Sequence, residues 1–276
     1  MTIDELLEID GARFIEPYFS ELPKDEYHES LITWPCEDTR LLIDQEENLL
    51  AFAINDNDSW IVTSLALRGP CPKILERFEE IGGEILEEEA LVWNKAVTEY
   101  FSNELLVFSE PAIEDVNPER IPVVSDLLHE VWGSGNNKSA LDCCCGSGIG
   151  TLVMRQSGYE VTSFDNDQYL LASGLSRGRL NKDSTSWIDA RIAGLYGIKS
   201  EIGLGLMFGE IYSFNFDLWK EIIEELITIS GDTLITVGSE NEAKMIKSGI
   251  KSKDRTIEIW ENNRDPIYDR FVIRIN

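Results

Sequence analysis

The chain has 276 residues, 43% of them hydrophobic, and carries 51 acidic against 24 basic side chains for a formal charge of −27. Such a length and apolar content supply one large core or a core plus an accessory module, and exclude a disordered chain. The acidic start "MTIDELLEIDGARF" does not read as a secretory leader, no apolar run approaches the ~18 residues that span a bilayer, and five cysteines, three of them adjacent, suit reduced thiols; a cytoplasmic protein without membrane association is expected.

The charge is uneven. Residues 1–138 hold 31 Asp and Glu against 9 Lys and Arg, whereas residues 139–276 hold 20 against 15. Gripping phosphates needs Lys and Arg, so the first half is a poor nucleic-acid module. Its acidity suits a basic protein partner, or an adaptation of the surface to high internal salt.

In chain order, "TRLLIDQ", "NLLAFAIND" and "SWIVTSLAL" are short apolar or alternating runs separated by "EEN" and "NDND", which predicts a small antiparallel meander. "CPKILERFEEIGG" predicts a helix with Pro early and Gly-Gly at its end. From Glu84 to Leu106, Leu86, Ala90, Trp93, Val97, Tyr100 and Phe101 recur at helical spacing, and "EILEEEA" reads as a solvated helix face. "SEPAIEDVNPERIP", with three prolines and several acids, reads as a linker between a domain at 1–110 and another at 111–276.

Beyond the linker the rhythm alternates. "VVSDLLHEVWG" is helical, "SALDC" a strand, "GIGTLVMRQSG" a helix, "YEVTSFD" a strand, and "DQYLLASGLSRGRL" a helix. "STSWIDA", "EIGLGLMF" and "GDTLITVG" are further strands, with the helix "FDLWKEIIEELITIS" before the last and "ENEAKMIKSG" after it. "RTIEIWEN" and "DRFVIRIN" close the chain as two strands without a helix between them. Alternation implies a parallel sheet with right-handed crossovers, and the final pair implies an antiparallel hairpin at one edge.

The stretch Leu141–Gly150, "LDCCCGSGIG", sits at a strand-to-helix turn, where open α/β sheets bind ligands. A dinucleotide site carries G-x-G-x-x-G, but here Gly146, Gly148 and Gly150 follow a different spacing and an acid, Asp142, precedes them. A carboxylate there mismatches a pyrophosphate and suits an ammonium or sulfonium group, so the pattern points to a cationic cofactor. The three cysteines have no second Cys or His cluster at zinc spacing; Cys36 and Cys71 lie far off, and His28 and His129 are the two histidines. No metal is expected, and the thiols read as small hydrophobes packing the loop.

"LDCCCGSGIGT" resembles motif I of the class I S-adenosylmethionine-dependent methyltransferases, hydrophobic-hydrophobic-(D/E)-x-G-x-G-x-G, and is most similar there to RNA- and DNA-modification enzymes. Asp142 matches the acid, Cys144 stands at the first glycine, and Gly146 and Gly148 match the others; the resemblance covers roughly residues 118–276. It implies S-adenosylmethionine as cofactor, with Asp142, Cys143, Cys144, Gly146 and Gly148 around it. It also implies Asp165, with Asn166 beside it, at the ribose hydroxyls, and Asp189 and Ala190 at the adenine edge. The implied fold is Rossmann-like: a doubly wound, mostly parallel seven-stranded sheet with a C-terminal antiparallel hairpin, preceded here by a smaller α+β accessory domain.

The departure lies at the fourth strand. Base-amine methyltransferases carry Asn/Asp-Pro-Pro-Tyr there, and this chain has "GLMFGEIYSFN" at 205–215 instead. Phe208, Gly209, Glu210, Tyr212 and Asn215 are expected along the methyl-transfer face, Phe208 at the cofactor, and Glu210 and Tyr212 as the catalytic pair with Glu210 as base. Methyl transfer to a protein or small molecule is therefore expected, with a non-catalytic subunit docking a basic partner, or an RNA methyltransferase, as alternatives. Arg177 and Arg179 serve either an anionic substrate or the dipole of their helix.

Overall fold

The computed structural model describes residues 1–56, 59–69, 71–113, 116–250 and 255–276. It divides into two compact units, Met1–Glu104 and Leu105–Asn276. Among the described residues no helix is long and apolar enough to cross a membrane.

The first unit begins with α1 (Ile3–Leu7), held by a capping box in which the side chains of Thr2 and Glu5 each accept the other's backbone N–H, and β1 (Ala12–Phe14). α2 (Asp25–Ile32), β2 (Thr39–Ile43), β3 (Leu49–Asp56), β4 (Ser59–Ser64), α3 (Pro72–Ile81), β5 (Glu84–Glu87) and α4 (Ala90–Phe108) follow. The expected meander is β2–β3–β4, paired antiparallel; Asn57 and Asp58 of its "NDND" separator lie outside the described residues. β1 joins β4 and β5 joins β2, both parallel, giving the order β1-β4-β3-β2-β5.

Alternate residues of these strands enter two cores. Leu42, Ala53, Trp60 and Val62 pack with α1 and with Trp93, Ala96, Val97 and Phe101 of α4. Leu41, Phe52, Ile54 and Ile61 pack with Leu31 of α2 and Ile74 of α3. Both faces of the sheet are covered, which is why its strands read as apolar runs rather than strict alternation. The helix expected from Glu84 starts instead at Ala90, because "EILE" follows Gly82-Gly83 and supplies a parallel partner to the edge of β2.

The second unit holds α5 (Arg120–Trp132), β6 (Ser139–Cys143), α6 (Ile149–Gln156), β7 (Glu160–Asp165), α7 (Gln168–Ser176), β8 (Thr185–Trp187), β9 (Ser200–Phe208), α8 (Phe216–Ile229), β10 (Ser230–Val237), α9 (Glu240–Gly249), β11 (Ile257–Glu261) and β12 (Phe271–Ile275). α5 takes the last residues of the expected linker, since Pro122 in a first helical turn forfeits no intrahelical bond; Glu114 and Asp115 of that linker lie outside the described residues. α7 ends at Ser176, so Arg177 and Arg179 follow it rather than occupying its last turn.

The sheet order is β11-β12-β10-β9-β6-β7-β8. β6 to β10 run parallel, while β12 pairs antiparallel with both β10 and β11. This is a Rossmann-like, mostly parallel seven-stranded sheet closed by the expected hairpin. The chain winds from β6 towards β8 on one side and from β9 onwards on the other, so the direction reverses between β6 and β9. Open α/β sheets bind ligands beyond the strand ends at such a reversal.

Candidate functional site

At that reversal a cavity of about 460 Å³ opens, lined from three strand ends by the Cys144–Ser147 loop after β6, Asp165 of β7, and Leu206, Met207 and Phe208 of β9. Arg120, Trp219 and Tyr268 are further parts of the wall. β9 reaches it through a bulge: Gly205 pairs with Ile235 but Phe208 with Val237, three residues against two. Met207 takes up the extra length at φ 59° and donates its N–H to Thr236 Oγ1 at 2.6 Å.

Two buried acids end adjacent strands beside the glycine loop. Asp142 is 1% exposed; its Oδ2 accepts from Thr151 Oγ1 at 2.7 Å, and that hydroxyl is 2.8 Å from Ser163 Oγ. Among the described residues its Oδ1 has no hydrogen-bond partner. Burial pushes this carboxyl from its ordinary 3.8 up to about 7, against the pull of Thr151 and with a small further push from the charge of Asp165. Asp165 accepts from the N–H of Gly146 at 2.8 Å through Oδ2 and from that of Asp167 at 2.8 Å through Oδ1. Burial raises its pKa too, and these backbone donors moderate the rise.

The loop needs its small residues. A Cβ on Gly150 would lie 2.8 Å from Asp142 Oδ2, so this close approach of helix to carboxylate requires glycine. Gly146 and Gly148 adopt φ 52° and 88°, and Cys144, at the position of the first motif glycine, adopts φ 53° despite its side chain. Cys143 and Cys145 are buried, and burial raises both thiols well above their ordinary value, so they stay neutral and act as packing groups. A brace not evident in the sequence comes from Arg179, whose Nε donates to the Ser147 carbonyl at 2.6 Å. Neither the anion nor the helix-dipole reading of Arg179 describes that contact.

Of the residues singled out from the sequence, Cys144, Gly146, Asp165 and Phe208 line the cavity, and Asp142 is buried beneath its loop. Cys143 and Gly148 belong to the same strand–loop–helix turn. Asn166, exposed, contributes its carbonyl to Trp187 Nε1 at 3.0 Å and is not part of the lining. Nor are Asp189 and Ala190: Asp189 caps the turn Ala190–Tyr196 and pairs with Arg191, whose guanidinium holds the carboxyl below its usual range. Glu210 and Tyr212 are exposed on the loop after β9, outside the lining, with Glu210 at φ 56°. Asn215 pins that loop, accepting the Tyr212 N–H at 2.7 Å and donating to the Glu210 carbonyl at 2.8 Å. Arg120 and Tyr268 reach the wall from α5 and the closing hairpin, far apart in sequence, and no local pattern marks them.

Chemically, the cavity offers an acid still able to accept hydrogen bonds, Asp165, a second carboxyl buried beneath its loop, Asp142, and apolar walls. That set suits a ligand with a positive centre, donor hydroxyls and an apolar body. No metal-ligand cluster of three His, Cys, Asp or Glu occurs among the described residues.

No family model and no curated protein matches this sequence. Among solved structures the chain is similar to TrmN from Thermus thermophilus (15% identity over 57% of this chain and 52% of that one, TM-score 0.42), so it spans about half the length of that protein. It is also similar to an rRNA methylase from Streptococcus thermophilus (13%, covering 59% of this chain and 98% of that one, TM-score 0.40). A third is magnesium protoporphyrin IX methyltransferase from Synechocystis, solved with bound SAM (12%, covering 66% and 97%, TM-score 0.43). The strand order, rather than these likenesses, carries the fold.

Proposed function

We propose that the protein is an S-adenosylmethionine-dependent methyltransferase acting on a small molecule or protein rather than on nucleic acid. One observation carries this reading: at the reversal of strand order the Cys144–Ser147 glycine loop, Asp165 at the end of β7 and the end of β9 line one cavity. The motif resemblance and the closing hairpin agree with it.

The residues fit the cofactor. The Cys144–Ser147 backbone would cradle it, Asp142 beneath that loop would favour its cationic methionine end by charge, and Asp165 would accept from its ribose hydroxyls, having one hydrogen bond on each oxygen at present. When bound, S-adenosylmethionine supplies an activated methyl group. What remains for this chain is to align the acceptor, exclude water with the apolar wall, and take a proton where the nucleophile carries one. Glu210 is our candidate base, and Tyr212 stands two residues beyond it. The adenine-edge role of Asp189 would require its Arg191 ion pair to stay while the neighbouring backbone makes the contact. All five cysteines are free, which suits a reducing, cytoplasmic compartment. The acidic first unit suits a basic protein partner.

Calorimetric titration with S-adenosylmethionine tests the reading. The wild type binds, and Asp165→Ala weakens binding by roughly tenfold or more, the worth of hydrogen bonds to a charged group, while circular dichroism confirms that the variant folds. A folded Asp165→Ala protein with unchanged affinity would sink the assignment.

A further inference from the structure

The loop 209–215 joins two residues of the cavity wall, Phe208 on β9 and Trp219 on α8, whose rings lie 5.0 Å apart. It displays Tyr212 and Phe214 to solvent, 52% and 83% exposed, stacked with centroids 5.4 Å apart and planes 11° from parallel. Exposing that much aromatic surface is unfavourable; Asn215 bonds the loop to itself, and Glu242 Oε1 accepts the Ile211 N–H at 3.1 Å. Two flat rings are thus displayed on the loop that leaves the cavity wall at Phe208, and the cavity itself carries further rings.

The inner wall adds Tyr268, over which the Arg120 guanidinium stacks at 4.9 Å. Among the described residues Arg120 is the one basic side chain of the lining, and its charge is already matched by Asp269 at 2.7 Å and Asp265 at 3.7 Å. The wall therefore presents flat apolar faces and, among the described residues, offers an anionic group no uncompensated cation. Aromatic faces prefer offset-stacked or edge contacts with other rings, which saturated rings cannot reproduce.

On the reading that this cavity binds S-adenosylmethionine, we propose that the methyl acceptor is an uncharged, planar fused-ring aromatic small molecule, received on the Tyr212–Phe214 stack. A single-stranded nucleic acid also stacks on aromatic platforms, but it brings phosphates that need Lys or Arg beside the rings.

The test uses the full chain, with and without S-adenosylhomocysteine, and two probes of one skeleton: 2-naphthol, which is planar, and 2-decalol, which is saturated. Binding is followed by ligand-observed NMR. 2-Naphthol binds roughly tenfold more tightly than 2-decalol, and Tyr212→Ala with Phe214→Ala abolishes that preference. Tyr212→Phe, which keeps the stack, retains it, and S-adenosylhomocysteine affinity stays unchanged in every variant. Equal binding of the two probes by a protein that does bind S-adenosylhomocysteine overturns the aromatic acceptor alone. No S-adenosylhomocysteine binding by the wild type overturns the cofactor reading and this proposal with it. A uridine hexanucleotide that outcompetes 2-naphthol overturns the small-molecule class in favour of nucleic acid.

Discussion

Both units bury charge, and they do so in opposite ways. In the first, Glu16 meets Arg68 at 2.7 Å with both side chains fully buried, and Thr63 bridges them, donating to Glu16 at 2.6 Å and accepting from Arg68 at 2.7 Å. Burial raises the Glu16 pKa, but Thr63 and the Arg68 charge pull against it. In the second, Asp142 is as deeply buried, and the charge acting on it is that of Asp165, of like sign. An internally compensated pair holds a fold together. Carboxylates that have no counter-ion among the described residues, at a strand-order reversal, are what the proposed cofactor site rests on.

The sharpest way to break the comparison is to remove the counter-charge where one exists. Arg68→Met leaves Glu16 buried and unmatched, and the first unit should lose about 3–5 kcal/mol of stability in urea unfolding at neutral pH. Adding Glu16→Gln should recover most of that loss, since paired charges often exchange for neutral groups at little cost. A single variant that costs almost nothing would mean the pair is incidental to the fold.

In the second unit the same kind of edit should have the opposite sign. Asp142→Asn keeps an acceptor for Thr151 and removes a charge the fold disfavours. Below the ordinary pKa of 3.8 the wild-type carboxyl is neutral folded and unfolded, and costs nothing. Between that value and about 7 the unfolded chain is ionised while the folded protein keeps its proton, so stability falls as pH rises. Above about 7 the cost is constant, on the order of a few kcal/mol for a shift of this size. The variant lacks this slope, so its advantage over the wild type should grow from pH 4 to 7 and then level off. Its cofactor affinity should fall at the same time. Parallel pH profiles for the two proteins would show that Asp142 does not titrate as its burial implies.

The contrast between the units also shows what was legible beforehand. Alternating strands and helices with punctuating glycines and prolines are local signals, and they marked all seven strands of the larger sheet. β1 and β5, of three and four residues, are too short to show a period and are made strands by distant parallel partners. The site divides likewise. Asp142, Asp165 and the glycine loop are local turn chemistry. Arg179 on the Ser147 carbonyl, Arg120 against Tyr268, and the Asp189–Arg191 pair depend on where separate side chains meet after folding. The resemblance implies Asp189 at the adenine edge, and in the fold an arginine two residues on engages it.

The smallest expected effect concerns the cysteines between these two acids. Cys144 holds φ 53°, a backbone region that costs a non-glycine residue about 1–2 kcal/mol. Replacing it with glycine relieves that strain but frees the unfolded chain, which costs about 0.4–1 kcal/mol. Its side chain is half-buried, 3.9 Å from the Cys143 sulfur, so little packing is lost. Cys144→Gly should therefore be neutral or up to about 1 kcal/mol more stable, with cofactor affinity intact. Cys143→Gly empties a fully buried position at the end of a central strand and should cost about 2 kcal/mol. If Cys144→Gly instead folds normally and loses the cofactor, its sulfur is part of the site, and packing alone does not describe it.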